Sequence, residues 1–335
     1  MKTLIIGHED VRRLLPMADC VDVMNDLFTV LARRDVVLPL RQIVPQPDGK
    51  GVFGVMPAYL GSPRTIGGKF ITVFNGNRDT PYESHQGAVL LFECDNGRLL
   101  AVVDATTVTN IRTAAASGAA TRALARKDAQ NLAILGSGTQ ASMHLAAMRA
   151  VREITRVRVW SRNAGHARHF VESEGSGGQQ VEVSSSAEEA VSGADIICTT
   201  TSATSPILKG EWVSSGAHIN AIGASVPGYR ELDSRAMTIS KLYTDRRESL
   251  FSESDDFRMA LKEGAIGDDH LKGEVGEVLI GKVAGRSSNA EITLFKSQGL
   301  AVEDLAAAYH VYTRAMESQL GTWIELNGER ELRRE

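Results

Sequence analysis

The chain is poor in the features that build secreted, metal-bound or membrane proteins. Its 335 residues include only three cysteines, Cys20, Cys94 and Cys198, widely spaced and without a CxxC pair. Neither a disulfide framework nor a cysteine-based zinc site is suggested, and no metal is expected. No apolar run reaches the ~18 residues a membrane helix requires. The opening Met1 to Gly7 has one lysine and a short apolar run, but Glu9, Asp10, Arg12 and Arg13 follow at once, leaving no signal-peptide core. Charge of one sign is also lacking: 37 basic against 41 acidic residues give a formal net charge of -4. That excludes a broad field for nucleic acid or an acidic membrane, so any anion must be held by local cations. Low-complexity tracts and solenoid repeats are absent too, and a cytoplasmic, reducing location is expected.

What is present reads as two lobes, because single cores rarely grow beyond ~250 to 300 residues. After Pro16, apolar residues recur at Met17, Cys20, Val21, Met24, Leu27, Phe28 and Leu31, the spacing of a helix with one buried face. From Leu38 to Val103 short runs rich in Val, Ile, Phe and Leu predict an antiparallel sheet, with Asp95-Asn96-Gly97 as its best hairpin turn. The Ala- and Arg-rich segment Thr113 to Lys127 predicts a helix capped by Thr109 or Asn110. From Asn131 strands and helices alternate: Leu132 to Leu135, Val157 to Trp160, Val181 to Ser184 and Ile196 to Thr199, with helices from about Ala141 and Ala164. This order implies an α/β fold with a doubly wound parallel sheet. A last helix, about Ala301 to Gln319, carries Glu303 and Asp304 in its first turn, where acids complement the helix dipole, and buries Leu305, Ala308, Tyr309 and Tyr312.

Asn131 to Leu135, Gly136-Ser-Gly138-Thr-Gln-Ala141 and the helix that follows are a strand, a GxGxxA turn and a helix start in the order of the Rossmann fingerprint. Gly136 permits the tight turn, Gly138 lets the backbone approach a pyrophosphate, and Ala141 allows close packing of helix on strand. The expected cofactor contacts are Gly136, Ser137, Gly138, Thr139 and Gln140, with Thr200, Ser202, Ala224 and Val226 further on. At the end of the second strand, after Trp160, an NAD enzyme usually places an acid, and here stand Ser161, Arg162 and Asn163. A hydroxyl and a guanidinium can hold a 2′-phosphate that a carboxylate would repel, which predicts NADPH over NADH.

Ile111-Arg-Thr-Ala-Ala-Ala-Ser117 followed by Gly136-Ser-Gly-Thr-Gln-Ala141 resembles the paired signature of the ornithine cyclodeaminase and mu-crystallin family. Val55 to Tyr59, Ser84-His85-Gln86, His218 to Ser225, Arg230-Glu-Leu-Asp233 and Phe295 to Asp304 extend the resemblance from about residue 10 to 315. The resemblance implies a homodimer. It implies a substrate-binding and dimerisation lobe over 1–112, a Rossmann domain over 113–298, and a C-terminal helix in 299–335 that returns to the first lobe. It also implies that Arg41, Lys69 and Arg112 hold a substrate carboxylate, with His85 near cofactor or substrate. A bidentate arginine suits that task chemically, and Arg112 is expected to open a helix whose dipole adds to its field. Lys69, beside two arginines and partly buried, is expected to lose some pKa and to manage a proton.

Two positions depart from the cyclodeaminase pattern. Where those enzymes place an aspartate after the Ile-Gly-x segment this chain has Ser225, and where they have a glutamate before the Met-Pro pair it has Gly54. A hydroxyl neither takes a proton as a carboxylate does nor pairs with a cationic amine. Both departures resemble the mu-crystallin branch, which includes ketimine reductases. The expected activity is NADPH-dependent reduction of a small ketimine carboxylate, with Lys69, Arg112 and Ser225 as the catalytic set. The runners-up are reductive amination of a 2-oxo acid, as in the family's alanine dehydrogenases, cyclodeamination of ornithine, and an NADPH-gated binder of small aromatic acids.

Overall fold

The computed structural model describes residues 2–77, 80–175 and 180–326. The chain forms two compact units. One comprises the chain up to Val23, Arg34–Arg112 and the chain from Ala301; the other comprises Met24–Arg33 and Thr113–Leu300. The segment Met24–Arg33, expected with the first lobe, groups with the second unit. There Phe28 meets Phe295 edge-on at 6.3 Å and its carbonyl lies against Gly276, where a Cβ would come within 2.0 Å.

The first unit is built on an eight-stranded sheet. Its order is Thr322–Glu325, Lys2–Ile6, Leu99–Asp104, His85–Phe92, Arg64–Val73, Val52–Gly61 and Val36–Val37, with Gln42–Pro45 also paired to Val52–Gly61. All neighbours are antiparallel except Lys2–Ile6 beside Leu99–Asp104. The hairpin at Asp95-Asn96-Gly97 is formed, with Gly97 at φ +75°, the region where glycine carries no Cβ penalty. Because strand side chains alternate between faces, Met56, Lys69, Val89, Val103 and Ile6 line up across one face. Lys69 is the single charged residue of that buried row. The helix Ala301–Ser318 lies on the same face; Gly67, without a side chain, admits Leu305, whose Cδ1 would sit 3.1 Å from a Cβ there. Leu305 and Ala308 are buried as expected, whereas Tyr309 and Tyr312 are only half-buried and lean on one another at 6.3 Å.

The long helix runs from Ala105 to Leu124, eight residues earlier than the alanine-rich pattern predicts. Its cap is neither Thr109 nor Asn110 but Asp104, whose carboxylate accepts the Thr107 N–H at 2.8 Å. Arg112 therefore stands in mid-helix, and the expected help from a helix terminus does not apply to it.

The second unit carries an all-parallel sheet in the order Gln180–Val183, Arg156–Trp160, Asn131–Leu135, Ile196–Thr199, His218–Ala221, Ile292–Lys296, Ser240–Thr244, Leu271–Glu274. The chain starts in the middle at Asn131–Leu135, winds outward through two strands, then crosses back to Ile196–Thr199 and winds the other way. This is the doubly wound Rossmann topology. Its switch point lies between Asn131–Leu135 and Ile196–Thr199, and ligands of such sheets bind beyond the carboxyl ends of the strands there.

Candidate active site

In the first unit the row position of Lys69 would leave an ammonium in apolar surroundings, a costly arrangement unless it is paired. The helix Ala301–Ser318 supplies the pair: Asp304 Oδ2 lies 2.8 Å from Lys69 Nζ, with the two side chains 4% and 0% exposed. Arg112, from the helix Ala105–Leu124, donates through Nε to Asp304 Oδ1 at 2.7 Å and through Nη1 to Glu303 Oε2 at 2.7 Å. Lys69 also donates to Thr109 Oγ1 at 3.4 Å. Glu303 and Asp304 thus do more than complement a helix dipole; they are fully buried counter-charges. Sequence reasoning missed that role, since two acids in a first turn are what any exposed helix start shows.

Burial pushes Lys69 down to about 8, and the neighbouring Arg112 and Arg41 push the same way against the pull of Asp304. Half-buried Arg41 therefore stands close enough to act on Lys69. His85 belongs to the same surroundings. It lies on the Lys69 face of the sheet, pairing with Val73, and burial together with Lys69 and Arg112 pushes it down to about 4. Its Nδ1 shares a hydrogen bond with Ser84 Oγ at 2.9 Å. At neutral pH His85 is an uncharged imidazole. The structure so gathers Arg41, Lys69, Arg112 and His85 in one region, around two carboxylates.

In the second unit the fingerprint turn sits at the switch point. Gly136 has φ +132°, its N–H donates to the Trp160 carbonyl at 2.9 Å, and a Cβ there would lie 2.4 Å from Thr200 Oγ1. Only glycine fits. Gly138 is the opposite case: nothing lies within 4 Å of where its Cβ would be, so its bareness leaves open space before the helix Thr139–Val151, whose cap residue is Gly138 and has no side chain to satisfy the first amides. Ala141 is fully buried against the sheet. These features fit a pyrophosphate held by the amides of Ser137 to Gln140.

Ser137 Oγ donates to Ser161 Oγ at 3.0 Å, joining the turn to the end of the second strand, and Arg162 beside it is exposed. Asn163 is engaged differently: its side-chain oxygen accepts from Gly165 N at 2.8 Å and His166 N at 3.4 Å, capping the helix Ala164–Glu174. Thr200 is held in place by its N–H, which donates to the Leu135 carbonyl at 2.9 Å. Ser202 is exposed in the same loop, and Ala224, Ser225 and Val226 follow the strand His218–Ala221, Ala224 buried and the other two half-buried. Among the described residues no group of three metal-ligating side chains is placed to hold an ion, and no helix is long and apolar enough to cross a membrane.

A model of the ornithine cyclodeaminase/mu-crystallin family matches residues 1–319. The ketimine reductase mu-crystallin of Mus musculus is 44% identical over 277 residues, 83% of this chain and 85% of that protein. The structure of Thermococcus litoralis Delta(1)-pyrroline-2-carboxylate reductase with NADH and L-proline superposes with a TM-score of 0.92 at 35% identity, covering 96% of this chain and 99% of that one. An archaeal alanine dehydrogenase dimer with bound NAD gives the same TM-score at 34% identity, covering 98% of this chain and all of that one. By sequence across nearly its whole length and by fold, the chain belongs to the ornithine cyclodeaminase/mu-crystallin family.

Proposed function

We propose that this protein is an NADPH-dependent reductase of the C=N bond of a small cyclic ketimine carboxylate, Δ1-pyrroline-2-carboxylate or Δ1-piperideine-2-carboxylate, yielding the amino acid. The observation that carries the reading is the clustering of cations around the buried Lys69. Arg112 lies buried beside Lys69, the two sharing Asp304, and Arg41 stands close enough to act on the lysine's charge. Such a cluster suits a small substrate carboxylate, because charge-assisted hydrogen bonds are worth far more in a buried site than in water.

Reduction of C=N requires a hydride at carbon and a proton at nitrogen. The bound dinucleotide supplies the hydride. The chain's residues supply the rest. Arg112 and Arg41 fix the carboxylate and with it the α-carbon. Lys69, at about 8, is mostly protonated at pH 7 yet acidic enough to yield a proton to the ring nitrogen. His85, uncharged, adds no competing charge, and Ser225 is a hydroxyl where a carboxylate would trap a cationic amine. Gly54 likewise brings no acid: it faces Ile71 and Ile43, with an ordinary 3.4 Å of room for a methyl group. The absence of both carboxylates argues against cyclodeamination. NADPH is preferred over NADH in this reading because Ser161 and Arg162 follow the second strand, where an NAD enzyme usually carries an acid.

We further infer a homodimer. The sheet face opposite Lys69 exposes Val37, Val44, Phe53, Ile66 and Phe70, each between 37% and 61% accessible, an apolar surface that a monomer rarely leaves bare. The alanine dehydrogenase relative is a dimer. A cytoplasmic location completes the reading, supported by three cysteines without a disulfide among them.

A second reading, reductive amination of a 2-oxo acid, is favoured by the equal structural likeness to alanine dehydrogenase. One experiment separates them: oxidation of NADPH or NADH by the purified protein with cyclic ketimines, with 2-oxo acids plus ammonia or methylamine, and with ornithine while ammonia release is followed. Turnover of cyclic ketimines alone supports the first reading, ammonia-dependent turnover of pyruvate alone supports the second, and ammonia release from ornithine overturns both.

A further inference from the structure

The Arg230-Glu-Leu-Asp233 stretch has no part in the reaction proposed above, yet Glu231 is fully buried at the carboxyl ends of two adjacent parallel strands of the second unit. Its Oε1 accepts the Thr201 N–H at 2.6 Å and the Thr201 hydroxyl at 2.7 Å. Its Oε2 accepts the Thr199 hydroxyl at 2.7 Å and the Gly223 N–H at 2.8 Å. One carboxylate thus ties the loop after Ile196–Thr199 to the loop after His218–Ala221. The two loops touch: a Cβ on Gly223 would lie 1.9 Å from the Thr201 carbonyl oxygen. Glu231 is itself anchored, because its N–H and that of Leu232 donate to Asp256 Oδ1 at 2.8 and 2.9 Å, and Asp256 Oδ2 sits 3.1 Å from the buried Lys296 ammonium.

We propose that Glu231 is a positioning residue for the dinucleotide, stapling together the two loops that carry Thr200 and Ser202 on one side and Ala224, Ser225 and Val226 on the other. The proposal rests on the reading of those loops as cofactor contacts. A carboxylate is required where an amide of the same shape would fail. Each oxygen receives one backbone N–H, from Thr201 or from Gly223, and in Glu231→Gln either orientation of the amide sets an NH2 group against one of them. The threonine hydroxyls can turn; the backbone donors cannot, and an unsatisfied buried donor drives the loops apart.

Asp195 provides the comparison. It is a second carboxylate staple in the same sheet but at the opposite edge, where the strands begin: its Oδ2 accepts from Gln130 N at 3.0 Å, Asn131 N at 2.9 Å and Asn131 Nδ2 at 2.9 Å, and Arg126 pairs with it. The test is NADPH binding, read by its fluorescence, to the wild type, Glu231→Gln and Asp195→Asn, with melting temperatures measured alongside. Expected is a Kd raised at least roughly tenfold by Glu231→Gln, and a Kd within about twofold of wild type for Asp195→Asn despite a lowered melting temperature. An unchanged Kd in Glu231→Gln, or an equal rise in both variants, overturns the proposal. If Glu231→Gln does not fold, the Thr199→Val/Thr201→Val double variant removes both hydroxyl donors and keeps the carboxylate; a Kd raised roughly threefold supports the staple and an unchanged one overturns it. A wild type that binds neither NADPH nor NADH overturns the cofactor reading and this proposal together, whereas normal wild-type binding with an indifferent Glu231→Gln overturns this proposal alone.

Discussion

Asp304 holds Lys69 at 2.8 Å through one carboxylate oxygen and Arg112 at 2.7 Å through the other. Two buried cations therefore share one anion, Arg112 being paired with Glu303 besides. Removing it leaves both under-compensated, and the lysine, which can shed its proton, is the one that responds. Lys69 is already pushed down to about 8 by burial. In Asp304→Asn it falls further. If protonated Lys69 is the proton source, kcat/KM of the wild type is level below pH ~8 and declines above it, and the alkaline limb of Asp304→Asn moves down by at least about one pH unit. A limb that stays in place assigns the proton to another group.

Lys69→Met keeps the length and the apolar contacts of the row with Met56 and Val89 while deleting the charge. Turnover is expected to fall by at least about a hundredfold, measured as kcat with saturating ketimine. Full activity in this variant removes Lys69 from the mechanism.

The mutual consistency of local signals explains what could be read in advance. Strand, Gly136-Ser-Gly138, helix and strand spacing all point to one doubly wound sheet, and Asn96-Gly97 can be little else than a tight turn, so those elements stand where expected. The start of the helix Ala105–Leu124 was not legible. Thr106, Thr107, Val108, Thr109 and Ile111 are β-branched and weak helix formers, and only tertiary burial of Ala105, Val108 and Ile111, together with the Asp104 cap, makes them helical. The counter-charges at Glu303 and Asp304 were hidden for a related reason: burial of a helix's first turn is decided by what packs on it, and the sequence shows the acids but not the lysine and arginine beneath.

Arg162 is exposed beside the Ser137–Ser161 hydroxyl pair. Arg162→Asp replaces an anion-holding group by a repelling one. The KM for NADPH should rise by roughly tenfold or more, with NADH use equal or improved. Steady-state kinetics with both dinucleotides decide it, and an unaltered NADPH KM assigns the preference elsewhere.

Phe70 stands on the bare sheet face, 37% exposed, while its neighbour Lys69 points to the other side. Phe70→Asp places a charge in the proposed subunit interface without entering the core. Light scattering of the purified variant should give the monomer mass at concentrations where the wild type is a dimer; a wild type that is already monomeric refutes the interface.

Two buried imidazoles, His144 and His218, and the half-buried His85 set the acid limit of stability. Burial pushes His85 and His144 to about 4 and His218 to about 3, from 6.5. The folded chain then binds fewer protons than the unfolded chain below pH 6.5, so stability is lost as pH falls from 6.5 towards 4. His144 alone contributes about 3 kcal/mol of that loss. Thermal unfolding followed from pH 7.5 to 4.5 should show the decline, and His144→Gln should flatten it; an unchanged slope in the variant rules this residue out as a source.

The acids that balance Lys69 and Arg112 come from a helix beginning at Ala301, and the strand Thr322–Glu325 that borders Lys2–Ile6 comes later still. A chain emerging amino end first from a ribosome therefore has its lysine-bearing strand long before anything can compensate it. Until Ala301–Ser318 and Thr322–Glu325 are out, the first unit cannot close, and an unfinished product of synthesis carries two cations that water, not protein, must keep.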